Sequence, residues 1–143
     1  MPYTYLDEIA IADVAFEARA DTREGLFVEA GDALMNVMVE NLGSIRPLVR
    51  RSFHAQAEDL ERLLFEYLQQ FIFFKDAEQL LLRVSEVVIT QEAGVLGLTA
   101  EASGEKIDPK RHDLNADVKA VTLHRFRIRN EPDGWTATVV LDI

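Results

Sequence analysis

The stretch KAVTLHRFRIRNEPDGWTATVVLDI, Lys119–Ile143, decides the fold. Two apolar, β-branched runs, about 118–129 and 135–142, flank Asn130-Glu131-Pro132-Asp133-Gly134, a cluster of turn formers. Paired antiparallel across that turn, residue 129 faces about 135, Asp142 arrives opposite about Thr122, and the carboxylate of Ile143 lies near Lys119 to Val121. A lysine heading an apolar strand and two adjacent carboxylates closing another are thereby brought to one edge of a sheet. Carboxylates a few ångströms apart repel unless a cation lies between them. Lys119 can serve, and so can a divalent metal, since hard cations take carboxylate oxygens. The bland reading stays open beside this one: a strand-end lysine snorkels and terminal acids are solvated.

Upstream, the polar loop SGEKIDPKRHDLNAD, Ser103–Asp117, leads into the Lys119 strand. It can carry Asp108, His112, Asp113 and Asp117 toward the same corner. Among the histidines, His112 is the functional candidate. His124 shares strand parity with Thr122, Phe126 and Ile128 and reads as a core or edge residue, and His54 has no acidic company. Arg125, Arg127 and Arg129 line one face of their strand, as a solvated stripe or as a small docking patch.

DVAFEARA, Asp13–Ala20, has the two-residue period of a half-buried strand. Thr22 caps a helix running to about Val39, with Leu26, Phe27, Ala30, Leu34, Val37 and Met38 at three- and four-residue steps. A strand is expected over 47–56, a second helix over Asp59–Phe74, and further strands over 79–90 and 95–105. The order strand–helix–strand–helix–four strands predicts an α+β fold in two layers, a mostly antiparallel sheet with two helices packed on one face. All 143 residues fit one domain, 1–143.

The chain has no cysteine, which excludes disulfides, thiolate zinc sites and a thiol nucleophile. Its formal net charge of −10 disfavours a broad nucleic-acid interface and suits a basic protein partner or cations. MPYTYLDEIAIADV lacks the basic and apolar regions of a secretory leader. The most apolar helix is interrupted by Glu66, Gln69 and Gln70, so no membrane span is expected. A cytoplasmic home is the expectation. Walker, Gly-x-Gly-x-x-Gly, Gly-x-Ser-x-Gly and His-Glu-x-x-His motifs are all missing.

ADVAFEARADTREGLF, AEDLERLLFEYL, GEKIDPKRH and VKAVTLHRFRI…GWTATVVLDI, taken in order, resemble the archease family. The resemblance spans nearly the whole chain, and the Lys-Ala-Val-Thr-x-His strand with the terminal Asp-Ile is its most specific part. It implies an accessory protein, not an enzyme, that promotes guanylylation and repeated turnover of an RtcB-type RNA ligase in tRNA splicing or RNA repair. It also implies a divalent-cation site (calcium, magnesium or manganese) at Asp13, Asp142 and Ile143. Lys119 matches the lysine implicated in activating the partner, and His112 is assigned to the same task. Where the family usually reads His-Thr-Ala-Asp, this chain has Ala10-Ile11-Ala12-Asp13, keeping only the carboxylate. The ligase is the expected partner; direct nucleic-acid binding and membrane attachment are not expected, and a small homo-oligomer fits the size. The competing readings are a general metal-binding, chaperone-like interaction module and a stand-alone metal-dependent hydrolase or transferase using Asp13, His112, Lys119 and Asp142.

Overall fold

The structure is a computed structural model that describes residues 2–6 and 13–143. Ala10, Ile11 and Ala12 lie outside the described residues, so the departure from His-Thr-Ala-Asp has no structural counterpart here. In chain order the elements are β1 (Tyr3–Leu6), β2 (Asp13–Ala20), α1 (Arg23–Met38), β3 (Val49–Ala57), α2 (Leu60–Glu78), β4 (Leu80–Glu92), β5 (Val95–Lys106), β6 (Ala120–Glu131) and β7 (Gly134–Asp142), with one 3-10 turn at Leu42–Ser44.

Local chemistry sets the helix starts. The Thr22 hydroxyl accepts the Gly25 N–H at 3.0 Å, and the Asp59 carboxylate accepts the Arg62 N–H at 2.8 Å. Each satisfies a donor that the first helical turn leaves unpaired. α2 continues past the expected Phe74, because Lys75-Asp76-Ala77-Glu78 offers nothing to break it. It stops where Gln79 turns left-handed (φ 58°) and donates its N–H back to the Lys75 carbonyl at 2.9 Å. β1 has no counterpart among the expected elements: four residues are too few for a periodic signal.

The α+β class holds, and the strands divide between two antiparallel sheets. One has the order β1-β2-β7-β6 and the other β3-β5-β4. α1 packs on β2 and β7 of the first sheet and on β4 of the second. That double contact explains its buried residues on nearly every side, including Leu26, Phe27, Ala30, Leu34, Met35 and Met38. One contiguous apolar cluster joins both helices and both sheets, from Phe16 and Val139 to Phe53, Leu81 and Leu98.

α2 lies along the outer edge of β6. Its Gln69 side chain accepts the Val121 N–H at 3.3 Å and its Glu61 carboxylate accepts the Ile128 N–H at 3.0 Å. Phe65 meets Phe126 edge to face, with centroids 5.9 Å apart. A strand edge that would otherwise offer free donors to another chain is covered in this way.

The helices cross at Gly31 of α1. A Cβ there would stand 2.6 Å from Cζ of Phe71 and 3.0 Å from the Tyr67 hydroxyl oxygen, both on α2. Ala is the better helix former by about 1 kcal/mol, but overpacking a rigid aromatic contact costs about 1–3 kcal/mol, so the clash dominates. Gly31→Ala is therefore expected to lower unfolding free energy by up to about 2 kcal/mol in urea titration; a stabilised variant would show that the helices separate freely.

Candidate functional site

The sheet pairing brings four of the candidate residues to one place. β7 lies between β2 and β6, with Asp142 the direct cross-strand partner of Asp13 on one side and of Ala120 on the other. The Lys119 N–H donates to the Asp142 carbonyl at 2.8 Å. Ile143 follows at once, half-buried and packed against the core. Directly opposed residues on neighbouring strands hold their Cβ atoms about 4.5–5.5 Å apart on the same face, and like charges so placed repel. The corner is therefore a pair of facing carboxylates with an exposed lysine beginning the adjacent strand.

Register near this corner departs from the simple hairpin. Close to the turn, Asn130 pairs with Trp135 and Arg129 with Thr136, one residue from expectation. At the far end Asp142 faces Ala120 instead of Thr122. The difference is absorbed between Thr122 and Arg127, where Leu123–Phe126 stand against Val139 alone.

A strap from β5 to β6 delivers Lys119. It is tied to α1 by the Asn115 N–H on the Met38 carbonyl (2.9 Å) and the Ala116 N–H on the Val37 carbonyl (3.2 Å). Lys75, 6% exposed, donates from Nζ to Asp117 Oδ1 at 2.5 Å, to Asp76 Oδ1 at 2.8 Å and to the Val118 carbonyl at 2.7 Å. Burial works against its charge, but Asp117 and Asp76 together hold the ammonium pKa above its ordinary value. Lys75 thus grips the two residues before Lys119. No sequence signal singles it out, since it sits in a run that also reads as a helix end.

His112 lies elsewhere. Its side chain is fully buried, with Nδ1 accepting the Asp108 N–H at 2.9 Å and Nε2 3.1 Å from Glu105 Oε2. Because Nδ1 is an acceptor, Nε2 carries the proton and donates to the carboxylate. Glu105 also receives the Arg46 backbone N–H at 2.7 Å, the Arg46 guanidinium at 2.9 Å and the Arg111 guanidinium. What the structure shows of His112 is a fastening at the start of the strap. Asp108 belongs to the same fastening, Asp117 to the Lys75 grip, and the Asp113 carbonyl accepts the Glu40 N–H at 2.9 Å. His54 and His124 are both exposed.

Among the described residues no group of three or more His, Asp or Glu side chains converges on a common point. Asp13 and Asp142 nevertheless supply the hard oxygen donors that calcium, magnesium or manganese prefer, so the donor chemistry fits such a cation. A cleft of about 400 Å³, lined by Glu17, Arg19, Arg129 and Trp135, opens at the other end of the sheet, near the β6–β7 turn. No helix among the described residues is long and apolar enough to cross a membrane.

These features define a small α+β protein whose distinctive chemistry is a carboxylate–lysine corner at the end of a four-stranded sheet. Residues 3–143 match the Archease protein family (MTH1598/TM1083). The protein archease of Pyrococcus furiosus is 37% identical over 133 residues, covering 92% of this chain and 93% of that one. The protein archease of Methanosarcina barkeri is 35% identical over 142 residues, covering 99% and 95%. The solution structure of protein 1598 of Methanobacterium thermoautotrophicum superposes with a TM-score of 0.86 at 30% identity, over 99% of both chains. A Thermotoga maritima crystal structure, described as an archease and possible chaperone, shares the fold at 19% identity with a TM-score of 0.62. The chain belongs to the archease family.

Two predictions follow from the fastenings. Burial raises the Glu105 carboxyl pKa, but Arg46, His112 and Arg111 more than reverse this and hold it at about 2, against 4.5 for the ordinary group. A carboxyl with a depressed folded pKa contributes stability that is complete above the unfolded value and lost as pH falls through the folded one. The urea midpoint is expected to fall from about pH 4.5 toward pH 2, and to fall less steeply in Glu105→Gln; parallel curves would deny Glu105 this role. Lys75→Met leaves the Val118 carbonyl without its donor and is expected to cost about 1–3 kcal/mol. Amide exchange should quicken first at Lys119, and unchanged protection there would count against the grip.

Proposed function

We propose that this protein is an accessory factor for an RtcB-type RNA ligase, promoting the ligase's guanylylation and multiple turnover in tRNA splicing or RNA repair. The observation that carries this reading is the corner itself: Asp13 faces Asp142 across β2 and β7, and the Lys119 N–H is bonded to the Asp142 carbonyl. In this reading Asp13, Asp142 and the carboxylate of Ile143 would hold a divalent cation. Such a cation would supply positive charge for nucleotide phosphate oxygens at the partner's active centre. Asp13 and Asp142 would hold it from two paired strands rather than from a loop, and the exposed Lys119 leads into the neighbouring strand. The net charge of −10 favours encounter with a basic, RNA-handling enzyme.

Limiting ligase, its RNA substrate and its nucleotide are incubated with and without this protein, and product per ligase is counted. Wild type is expected to carry the reaction past one turnover. Asp142→Ala and Lys119→Ala are expected to remove that stimulation while keeping the far-UV spectrum and urea midpoint close to wild type, because both side chains lie outside the core. Full stimulation by both variants would remove the corner from the mechanism. A ligase indifferent to the wild-type protein would favour the chaperone-like reading, the description given to the Thermotoga relative.

A further inference from the structure

We propose that the β6 bulge, Leu123–Phe126, is a docking contact for an acidic, leucine-bearing segment of a protein partner; this rests on the accessory reading and names where the partner is gripped. Four residues stand against one in the middle of a strand, and such bulges re-aim side chains. Arg125 sits at φ 54°, a left-handed conformation unfavourable for a long, non-glycine side chain. Phe126 turns inward onto Phe65, while Leu123 is left 61% exposed beside the exposed His124 and Arg125. Strain is thus retained where a leucine and an arginine are pushed into solvent.

Charge selects the occupant. The chain is strongly acidic, yet from Val118 to Asn130 it has Lys119, Arg125, Arg127 and Arg129 and no acid. Arg129 alone of these reaches a described acid, Glu17 at 3.9 Å. A small cleft of about 190 Å³ lies against the bulge, lined by Asp59, Glu61, Arg62, Leu123 and Phe126. Asp59 and Glu61 are engaged on the backbone N–H groups of Arg62 and Ile128. A short peptide can set carboxylates on Arg125 and Arg127 and an aliphatic side chain on Leu123 while keeping clear of the acidic remainder of the surface, which a long phosphate backbone cannot do. The bulge begins directly after Thr122, so a partner held there has the Lys119–Asp142 corner within reach.

The test titrates the labelled protein at low salt with a synthetic peptide alternating glutamate and leucine, and separately with a single-stranded RNA oligonucleotide of equal charge. The peptide is expected to move the amide resonances of Leu123, His124, Arg125 and Arg127. Leu123→Ser and Arg125→Glu are each expected to weaken it about tenfold. Arg125→Gly is the diagnostic variant: glycine accepts the left-handed backbone, so binding should fall while the urea midpoint rises. A midpoint that falls with binding unchanged would make the bulge a structural feature only. Absence of peptide shifts, or RNA moving the same amides at lower concentration, would overturn the proposal. In the ligation assay the bulge variants should lose stimulation while the Lys119 and Ile143 resonances stay in place. If wild type stimulates no ligase, the accessory reading fails, and the peptide titration still decides the bulge.

Discussion

β7 is hydrogen-bonded along both of its edges, to β2 and to β6, and the corner depends on that double pairing. A terminal strand at a sheet edge could fray and take its acids into solvent. Held between two neighbours, Asp142 has its place set by cross-strand partners on each side. The Asp13–Asp142 opposition is unfavourable by itself, by a few tenths to about 1 kcal/mol for like charges in this position. The sheet tolerates it because Val139, Val140 and Leu141, all fully buried, fix the strand far more strongly. Burying each such side chain contributes about 1.5–3 kcal/mol. The repulsion is therefore retained at a place where a cation can remove it.

The bulge in β6 follows from a conflict inside the same hairpin. Near the turn, Ile128 pairs with Ala137 on the face toward the core. Continued without interruption, that register would set Phe126 against Val139 and His124 against Leu141, burying an imidazole among apolar neighbours. An unpartnered polar group there costs several kcal/mol. The observed shift instead places Val121, 5% exposed, opposite Leu141 and leaves His124 in solvent. Strain at Arg125 is the smaller of the two costs, about 1–3 kcal/mol. The same shift moves Ala120 and Lys119 into place beside Asp142.

This explains what could be read in the sequence and what could not. Alternation, turn residues and helix caps reveal β2, the two helices and the last hairpin, because each is a local pattern with a local cause. The meeting of Lys119 with the terminal acids was also legible, since a hairpin's two strands determine one another's neighbours to within a few residues. Asp13 opposite Asp142 was reached only through family resemblance: nothing in either run says that the second strand lies beside the last. The division into two sheets was hidden for the same reason, because periodicity records which face is buried and not which strand is adjacent. Parity grouped His124 with Phe126 and Ile128, and a bulge is the event that breaks parity. Lys75 and Glu105 were invisible because a buried charge looks like an exposed one until its partners are assembled.

Those partners give the strap between β5 and β6 its meaning. It leaves the three-stranded sheet at Lys106, is fastened through Glu105, Arg46, Arg111 and His112, and pairs briefly with the end of α1 at Val39 and Leu114. Lys75 then takes hold of Asp117 and Val118 just before the chain enters the four-stranded sheet at Ala120. Each fastening pairs a buried charge with an opposite charge or a carbonyl, and removing one partner from such an arrangement is costly. The strap consequently has little freedom to slide, and the bonds of His112, Asp108 and Asp117 position it. Lys119 owes its place to cations that never reach the corner: the arginines on Glu105 at one end of the strap and the ammonium of Lys75 at the other.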